Sequence, residues 1–130
     1  IFLMLSLKNC LEEEAKAIKQ ASLNIDIKEV EKALDLLSKC YRNKQKVITS
    51  GIGKSGIVAR KIAATFSSIG LMSIYLNPLD ALHGDIGIVD TKDVCLLLSN
   101  SGESEELLEI IPHLKNRGAK CIALVGNIES

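Results

Sequence analysis

A glycine-rich segment near the middle of the chain has the composition of an anion-binding turn. Residues 51–56 follow the apolar run Val47–Ser50, which predicts a buried strand that turns sharply into a helix. The first turn of a helix leaves backbone N–H groups unpaired at the positive end of its dipole. Lys54 adds a charge there, and nearby serines add donors, so we predict a phosphate site. Its predicted ligand groups are Ser50, Gly51, Gly53, Lys54 and Ser55.

A second strand-to-helix turn, residues 99–104, is rich in hydroxyl and amide groups. Serine and asparagine commonly cap helices, which is one interpretation of this turn. Four such side chains in six residues exceed what a cap needs, and the helix N-terminus again offers an anion site. We therefore predict ligand contacts from Ser99, Asn100, Ser101 and Ser104. Glu103 is a carboxylate beside an anion site, so it either points to solvent or acts as an acid/base group beyond the phosphate.

His83 is the candidate for proton transfer, on the loop after the second predicted strand. A single histidine is often a structural hydrogen-bonding group, but titration near neutral pH also suits a proton carrier. Both interpretations stay open on these residues alone. His113 falls on a later helix and is predicted to be structural. One histidine and scattered cysteines do not make a metal cluster, so no metal is predicted.

Residues 51–56 also fit the GxGxxG pattern of dinucleotide-binding folds. That interpretation needs an acidic residue at the end of the second strand, where Asn77 stands, and Asp80 lies beyond a proline. A nucleotide P-loop needs a glycine where this chain has Ile48. No nucleotide cofactor is therefore predicted.

The composition excludes several classes of partner. Sixteen basic and sixteen acidic residues balance, and aromatics are only 3%, which argues against a nucleic-acid groove or an anionic membrane surface. The cysteines at 10, 40, 95 and 121 form no CxxC pair, so we predict buried or incidental thiols in a reducing compartment. The apolar residues 1–5 are too short for a spanning helix or signal peptide, so a cytoplasmic location is predicted.

Hydrophobic periodicity predicts one domain, with two helices over residues 1–45 and alternating strands and helices over 46–130. The predicted helices cover residues 8–21, 26–41, 54–68 and 103–116, the strands 47–50, 72–76, 93–98 and 120–125, and a short helix or loop 80–87. Each of the first three predicted helices carries an apolar stripe, and the stripe of the third should face inward. The stripes are Leu11, Ala15, Ile18 and Ala21 in the first helix, Val30, Leu34, Leu37 and Tyr41 in the second, and Val58, Ile62, Thr65 and Phe66 in the third. The first two helices should cover a sheet face or pair with another subunit.

The strands are apolar throughout, which predicts a parallel sheet with helices on both faces, a doubly wound, flavodoxin-like α/β fold. The third strand should be central. Ligands of such sheets bind beyond the carboxyl ends of the strands, where the strand order reverses. The polar loops after the first three strands should therefore converge on one cleft.

Four motifs, in order, closely resemble the sugar isomerase (SIS) domain of D-arabinose 5-phosphate isomerases. They are residues 51–56, 63–68, 83–87 and 99–104. The resemblance runs from about Leu11 to the end of the sequence. It implies a five-stranded SIS fold, of which four strands fall within these residues. It also implies interconversion of D-arabinose 5-phosphate and D-ribulose 5-phosphate through an enediol, for synthesis of the lipopolysaccharide sugar Kdo, by a homo-oligomer, a dimer or tetramer.

The same resemblance implies roles for individual residues. Lys54, His83 and Glu103 would belong to the active site, and the hydroxyls of Ser55, Ser99, Ser101 and Ser104 would bind phosphate or sugar. Two positions depart from the family pattern, because Asn77 and Asp80 replace its usual histidine and glutamate. A fifth strand, a later catalytic histidine and the paired CBS domains of many members would follow the last residue.

Two other functions remain alternatives. One is a non-catalytic SIS module that senses a sugar phosphate, as in some transcription regulators. Only about 45 residues precede the first predicted strand, and they contain no basic recognition helix. A sensor also has little use for His83 and Glu103 beside a phosphate. The other alternative is an isomerase of a different phosphosugar.

Overall fold

The computed structural model describes residues 6–126, which form four parallel strands and five α-helices. The α-helices are α1 (Leu7–Asn24), α2 (Ile27–Arg42), α3 (Lys54–Ser68), α4 (Pro78–Leu82) and α5 (Glu105–Asn116). The strands are β1 (Val47–Ser50), β2 (Ser73–Tyr75), β3 (Val94–Ser99) and β4 (Lys120–Val125). A 3-10 helix spans Asp85–Ile88. The apolar residues 1–5 lie outside the described residues.

The chain divides into two compact units, and the second begins at Ala33, within α2. The sequence predicted one domain, with its first two helices in residues 1–45. Leu36, Leu37 and Cys40 pack against the core beside the sheet, which explains why the second half of α2 belongs with the strands. None of the helices in residues 6–126 is long and apolar enough to cross a membrane.

The first unit contains α1 and the start of α2. Ser6 accepts a hydrogen bond from the Asn9 N–H (3.1 Å) and thereby caps α1. The Asp26 carboxylate accepts from the N–H groups of Lys28 (3.0 Å) and Glu29 (3.3 Å), which confirms the predicted start of α2. No residue of α1 is buried, so its apolar stripe is exposed.

The sheet has the order β2-β1-β3-β4, and all three strand pairs are parallel. The chain moves outward from β1 to β2, crosses back to β3, and continues outward to β4. The order therefore reverses between β1 and β3, and β3 lies between β1 and β4, as predicted.

Helices pack on both faces of this sheet, which confirms the doubly wound α/β prediction. On one face, Ile48 and Leu97 of the sheet pack with Ile110 and Leu114 of α5. On the other face, Val47 and Val94 pack with Cys40, Leu71 and Phe66. Adjacent residues of one strand thus enter opposite cores, because side chains alternate across a strand. Full burial of each large aliphatic side chain contributes about 1.5–3 kcal/mol.

The predicted inward face of α3 was partly wrong, because Val58 and Thr65 are exposed. In the predicted apolar stripe of α2, Leu34 and Tyr41 are exposed. The buried residues of α3 are the small ones, Gly56, Ala59 and Ala63. The Thr49 hydroxyl donates to the Ala59 carbonyl (2.7 Å), which is possible only where the helix backbone approaches the sheet closely. Small side chains permit that approach, so they replace the larger apolar residues at the contact.

An ion pair between the partly buried Lys46 and the buried Asp93 joins the amino-terminal ends of β1 and β3. The Asp93 side chain is 1% exposed, lies 2.7 Å from the Lys46 ammonium, and accepts from the N–H groups of Lys46 (3.2 Å) and Asp90 (2.8 Å). Burial lowers the pKa of Lys46, but hydrogen bonds and charge from Asp93 and Asp90 outweigh it and raise that pKa above 10.5. The contribution of Lys46 to stability is therefore complete below pH 10.5 and is lost as the pH rises through its folded pKa.

Asp93→Asn should lower the free energy of unfolding by about 3 kcal/mol, because it leaves the Lys46 ammonium without its buried partner. Asp90→Asn is the matched control, since the Asp90 side chain is 71% exposed and lies 3.2 Å from the same ammonium. Its loss should cost about 1 kcal/mol or less. Urea denaturation measures both variants, and equal losses would contradict the importance of the pair between Lys46 and Asp93.

Candidate functional site

The glycine turn between β1 and α3 presents unpaired donors. Gly53 is the N-cap of α3, with φ of 61° and ψ of −129°, and it provides no side-chain cap. Such a backbone conformation is accessible to glycine and costly for other residues. Within residues 6–126, no acceptor pairs with the N–H groups of Lys54 and Ser55. These two N–H groups lie at the positive end of a fifteen-residue helix, which suits an anion.

Close packing holds the glycine turn in place. A Cβ on Gly51 would lie 3.0 Å from the carbonyl oxygen of Leu98, and a Cβ on Gly56 would lie 2.7 Å from that of Gly51. The Tyr75 hydroxyl donates to the Gly51 carbonyl (2.6 Å), and the Arg60 guanidinium lies 4.7 Å from the Tyr75 ring centroid. The turn is therefore fixed by α3, β2 and β3 together.

The turn after β3 is held by its own hydroxyl groups. The Ser99 hydroxyl accepts from the Gly102 N–H (2.9 Å) and lies 3.1 Å from the Ser104 hydroxyl. The Ser101 hydroxyl accepts from the Glu103 N–H (3.1 Å). Ser104 is the N-cap of α5, yet its side chain makes no capping hydrogen bond. This network shapes the loop and leaves the first turn of α5 without a side-chain cap.

One surface depression, with a volume of about 360 Å³, brings the two turns together. Its polar lining combines four residues that the sequence predicted: Lys54, Ser55, Ser99 and Asn100. The end of β4 also lines it, through Leu124, Val125 and Gly126. The Gly126 N–H donates to the carbonyl of Asn100 (3.1 Å), which joins β4 to the hydroxyl-rich turn. Sequence reasoning missed the contribution of Gly126 and the end of β4 to this depression. The feature that could have indicated it is the glycine directly after the strand.

A second depression, of about 220 Å³, lies on the β2 side of the glycine turn. Its lining includes Gly51, Gly53, Arg60, Tyr75 and Asn77. Asn77 also caps α4, where its side chain accepts from the Leu79 N–H (2.9 Å). Sequence reasoning did not propose Arg60 or Tyr75 as site residues. The signal for Arg60 was its position on α3, seven residues after Gly53, which is about two helical turns.

Seven of the eleven predicted site residues do not line the depression that contains Lys54. Gly51 and Gly53 line the second depression, Ser101 and Ser104 belong to the hydroxyl-rich turn, and the other three are His83, Glu103 and Ser50. His83 ends α4, its N–H donates to the Asp80 carbonyl (3.0 Å), and its side chain is exposed. Glu103 is exposed on the hydroxyl-rich turn. Ser50 is 1% exposed, and its hydroxyl donates to the Leu76 carbonyl (2.6 Å), so in this structure it joins β1 to the end of β2. One depression thus brings together four of the predicted ligand groups, and its lining includes neither of the two acid/base candidates.

The described residues contain no cluster of three or more histidine, cysteine, aspartate or glutamate side chains that could hold a metal ion. All four cysteines are free thiols, of which Cys40 and Cys95 are buried, Cys121 is partly buried and Cys10 is exposed. The Cys40 thiol donates to the Lys46 carbonyl (3.3 Å), and burial raises its pKa.

Two strand-to-helix turns that carry free backbone N–H groups, a lysine and hydroxyls lie at the carboxyl edge of a doubly wound parallel sheet, which makes this an α/β domain suited to a phosphorylated ligand. Residues 40–130 match the SIS domain family, and the chain belongs to that family.

The chain is 40% identical over 126 residues to the arabinose 5-phosphate isomerase KpsF of Escherichia coli O6:H1, covering 97% of this chain and 38% of that protein. A solved structure of an E. coli CFT073 protein in complex with arabinose 5-phosphate is 38% identical, with a TM-score of 0.82, over 92% of this chain and 62% of that one. A Bacteroides fragilis protein involved in capsule formation is 39% identical, with a TM-score of 0.83, over 96% of this chain and 67% of that one.

Gly56→Ala should lower the free energy of unfolding by about 1–3 kcal/mol, because the new methyl group would press against the Gly51 carbonyl. The helix propensity of alanine offsets less than about 1 kcal/mol of this loss. Gly87→Ala is the control, since nothing lies within 4 Å of an added Cβ and the backbone is unstrained there. Urea denaturation compares the two, and an unchanged Gly56→Ala protein would show that the turn is not tightly packed.

Proposed function

We propose that the protein containing this chain is an aldose–ketose isomerase that interconverts D-arabinose 5-phosphate and D-ribulose 5-phosphate. The observation that carries the proposal is the depression shared by Lys54, Ser55, Ser99 and Asn100. It combines a positive charge, free backbone N–H groups and hydroxyls, which are the groups that bind a phosphate. The KpsF relative, an arabinose 5-phosphate isomerase, supports the choice of substrate.

The proposed reaction moves one proton between neighbouring carbons. A base removes the proton from C2 of the aldose while the carbonyl oxygen at C1 gains negative charge and takes up a proton, which gives the enediol. The hydroxyl at C2 then loses its proton as C1 gains one, which gives the ketose with its carbonyl at C2. The chain supplies His83 and Glu103 as acid/base candidates, and Lys54 as a charge that stabilises the phosphate or the developing oxyanion.

The two acid/base candidates need the bound substrate to bring them together with the anion site. His83 and Glu103 are exposed and do not line the depression of Lys54. A phosphate held between the two turns would leave the sugar to extend toward neighbouring loops, and Glu103 belongs to one of these turns. We infer that the bound sugar, rather than the free protein, brings the acid/base groups and the anion site into one arrangement.

The biological setting belongs to the same proposal. We propose a role in Kdo and lipopolysaccharide synthesis, as the family resemblance implies. Four free thiols suit a reducing, cytoplasmic compartment. The exposed apolar side chains Leu34, Tyr41, Ile69 and Met72 suit a homo-oligomer, a dimer or tetramer, whose size sedimentation would measure.

The deciding experiment follows proton exchange by NMR. The full-length protein is incubated with D-arabinose 5-phosphate in deuterated water, and the C2 proton signal is monitored. Loss of that signal together with formation of the ketose supports the isomerase. Binding without exchange would contradict it and favour the sugar-phosphate sensor. Exchange only with a different phosphosugar would keep the reaction and change the substrate.

Glu103→Gln and His83→Asn should each lower turnover by about 10²- to 10⁴-fold while changing phosphate affinity much less, since a positioned acid/base group contributes on that scale. Glu109→Gln and His113→Asn on α5 are the matched controls and should leave turnover unchanged, because both residues are exposed outside the two turns. Steady-state kinetics of all four variants provide the test. Unchanged turnover in Glu103→Gln or His83→Asn would remove that residue from the mechanism.

Lys54→Met should weaken binding of inorganic phosphate by about 10- to 100-fold, the effect of losing a charge-assisted hydrogen bond. Lys61→Met is the control, because Lys61 is exposed on the same helix and lines neither depression. Calorimetric titration of both variants measures the affinities. Equal affinities for the two would place the phosphate elsewhere.

A further inference from the structure

Two cysteines that are 26 positions apart in the sequence face each other in the sheet. Cys95 of β3 and Cys121 of β4 are direct partners in the parallel register. Partners in adjacent strands point to the same face, and both cysteines belong to the core cluster that α5 covers. Neighbouring strands are about 4.8 Å apart, which lies within the range of about 4.4–6.8 Å between the Cα atoms of a disulfide.

The two thiols differ in burial and in acidity. Cys95 is fully buried, and Cys121 is partly buried. The neighbouring Cys121 thiol, and then burial, raise the pKa of the Cys95 thiol. The neighbouring Cys95 thiol lowers the pKa of Cys121, against the effect of burial and with help from the positive charge of Lys115. Cys121 is therefore the better nucleophile at neutral pH, since the thiolate is the reactive form.

We propose that Cys95 and Cys121 form a modification site, a thiol pair that hydrogen peroxide converts reversibly into a disulfide between β3 and β4. The Cys121 thiolate attacks one peroxide oxygen, which breaks the O–O bond, forms the sulfenic acid and releases hydroxide. Cys95 then attacks the Cys121 sulfur, loses its proton and displaces a second hydroxide. The two thiols lose two electrons, the peroxide gains them, and the protons and hydroxides leave as two water molecules.

The other two cysteines do not form such a pair. Cys10 belongs to the first unit and is exposed, and the Cys40 thiol is buried with its hydrogen bond to the Lys46 carbonyl. Neither is the strand partner of another cysteine. The proposed selectivity therefore comes from the sheet register and from the different burial of Cys95 and Cys121.

Peptide mapping of the full-length protein tests this proposal. After peroxide treatment and alkylation of the remaining thiols, trypsin separates Cys95, on residues 93–115, from Cys121, on a peptide that begins at that residue. We expect a linked pair about 2 Da lighter than the sum of the two reduced peptides, which dithiothreitol separates. Oxidation of Cys121 to the sulfinic acid without a linked peptide, or oxidation of Cys10 alone, would overturn the proposal.

Two further measurements define the roles of the two thiols. Cys121→Ser should leave Cys95 reduced, Cys95→Ser should leave Cys121 oxidised but unlinked, and Cys10→Ser is the control that keeps the linked peptide. In the unmutated protein, the initial rate at which peroxide oxidises Cys121 should rise about tenfold from about pH 6 to about pH 8. The oxidation rate of a thiol of ordinary pKa would rise about 80-fold over the same range. An 80-fold rise would show that Cys121 is not activated, and would contradict its role as the attacking group.

Discussion

β1 and β3 pair in parallel from Val47 with Val94 to Ser50 with Leu97, and the site depends on this pairing. It places the end of β1 so close to β3 that the Gly51 position has no room for a side chain, since a Cβ there would lie 3.0 Å from the Leu98 carbonyl. The two turns that follow these strands must therefore open at the same edge of the sheet. At the opposite ends of these strands, Lys46 and Asp93 form the ion pair, so the pairing is held at both ends.

The approach of α3 to the sheet extends the same constraint. Gly56, Ala59 and Ala63 are the buried residues of this helix, and the Thr49 hydroxyl reaches the Ala59 carbonyl. Larger side chains at these positions would lift the helix and move its N-terminus away from the end of β1. The unpaired N–H groups of Lys54 and Ser55 depend on that placement. The packing of small residues and the position of these unpaired N–H groups are thus two consequences of the short distance between α3 and the sheet.

Membership of the SIS family and the geometry of the site support each other, but they concern different parts of the function. The family match covers residues 40–130, which include both turns. The chain spans about 38% of the length of its KpsF relative, so the acid/base chemistry belongs to the proposal for the whole protein. The groups proposed to bind phosphate are local, because each turn carries its own donors. The acid/base groups act on a sugar that extends beyond these turns. The positions of the acid/base groups therefore depend on parts of the protein outside the two turns.

The sequence by itself determined the fold class, the bounds of most elements and the places of the two strand-to-helix turns. These features are local, because periodicity, glycine and capping residues act within one element or one turn. The tertiary structure decided three other things. It turned Val58 and Thr65 outward, it buried Ser50 against Leu76, and it placed Cys95 beside Cys121. Each depends on which strand lies next to which and how closely a helix approaches the sheet, and such long-range distances leave no pattern in a single sequence.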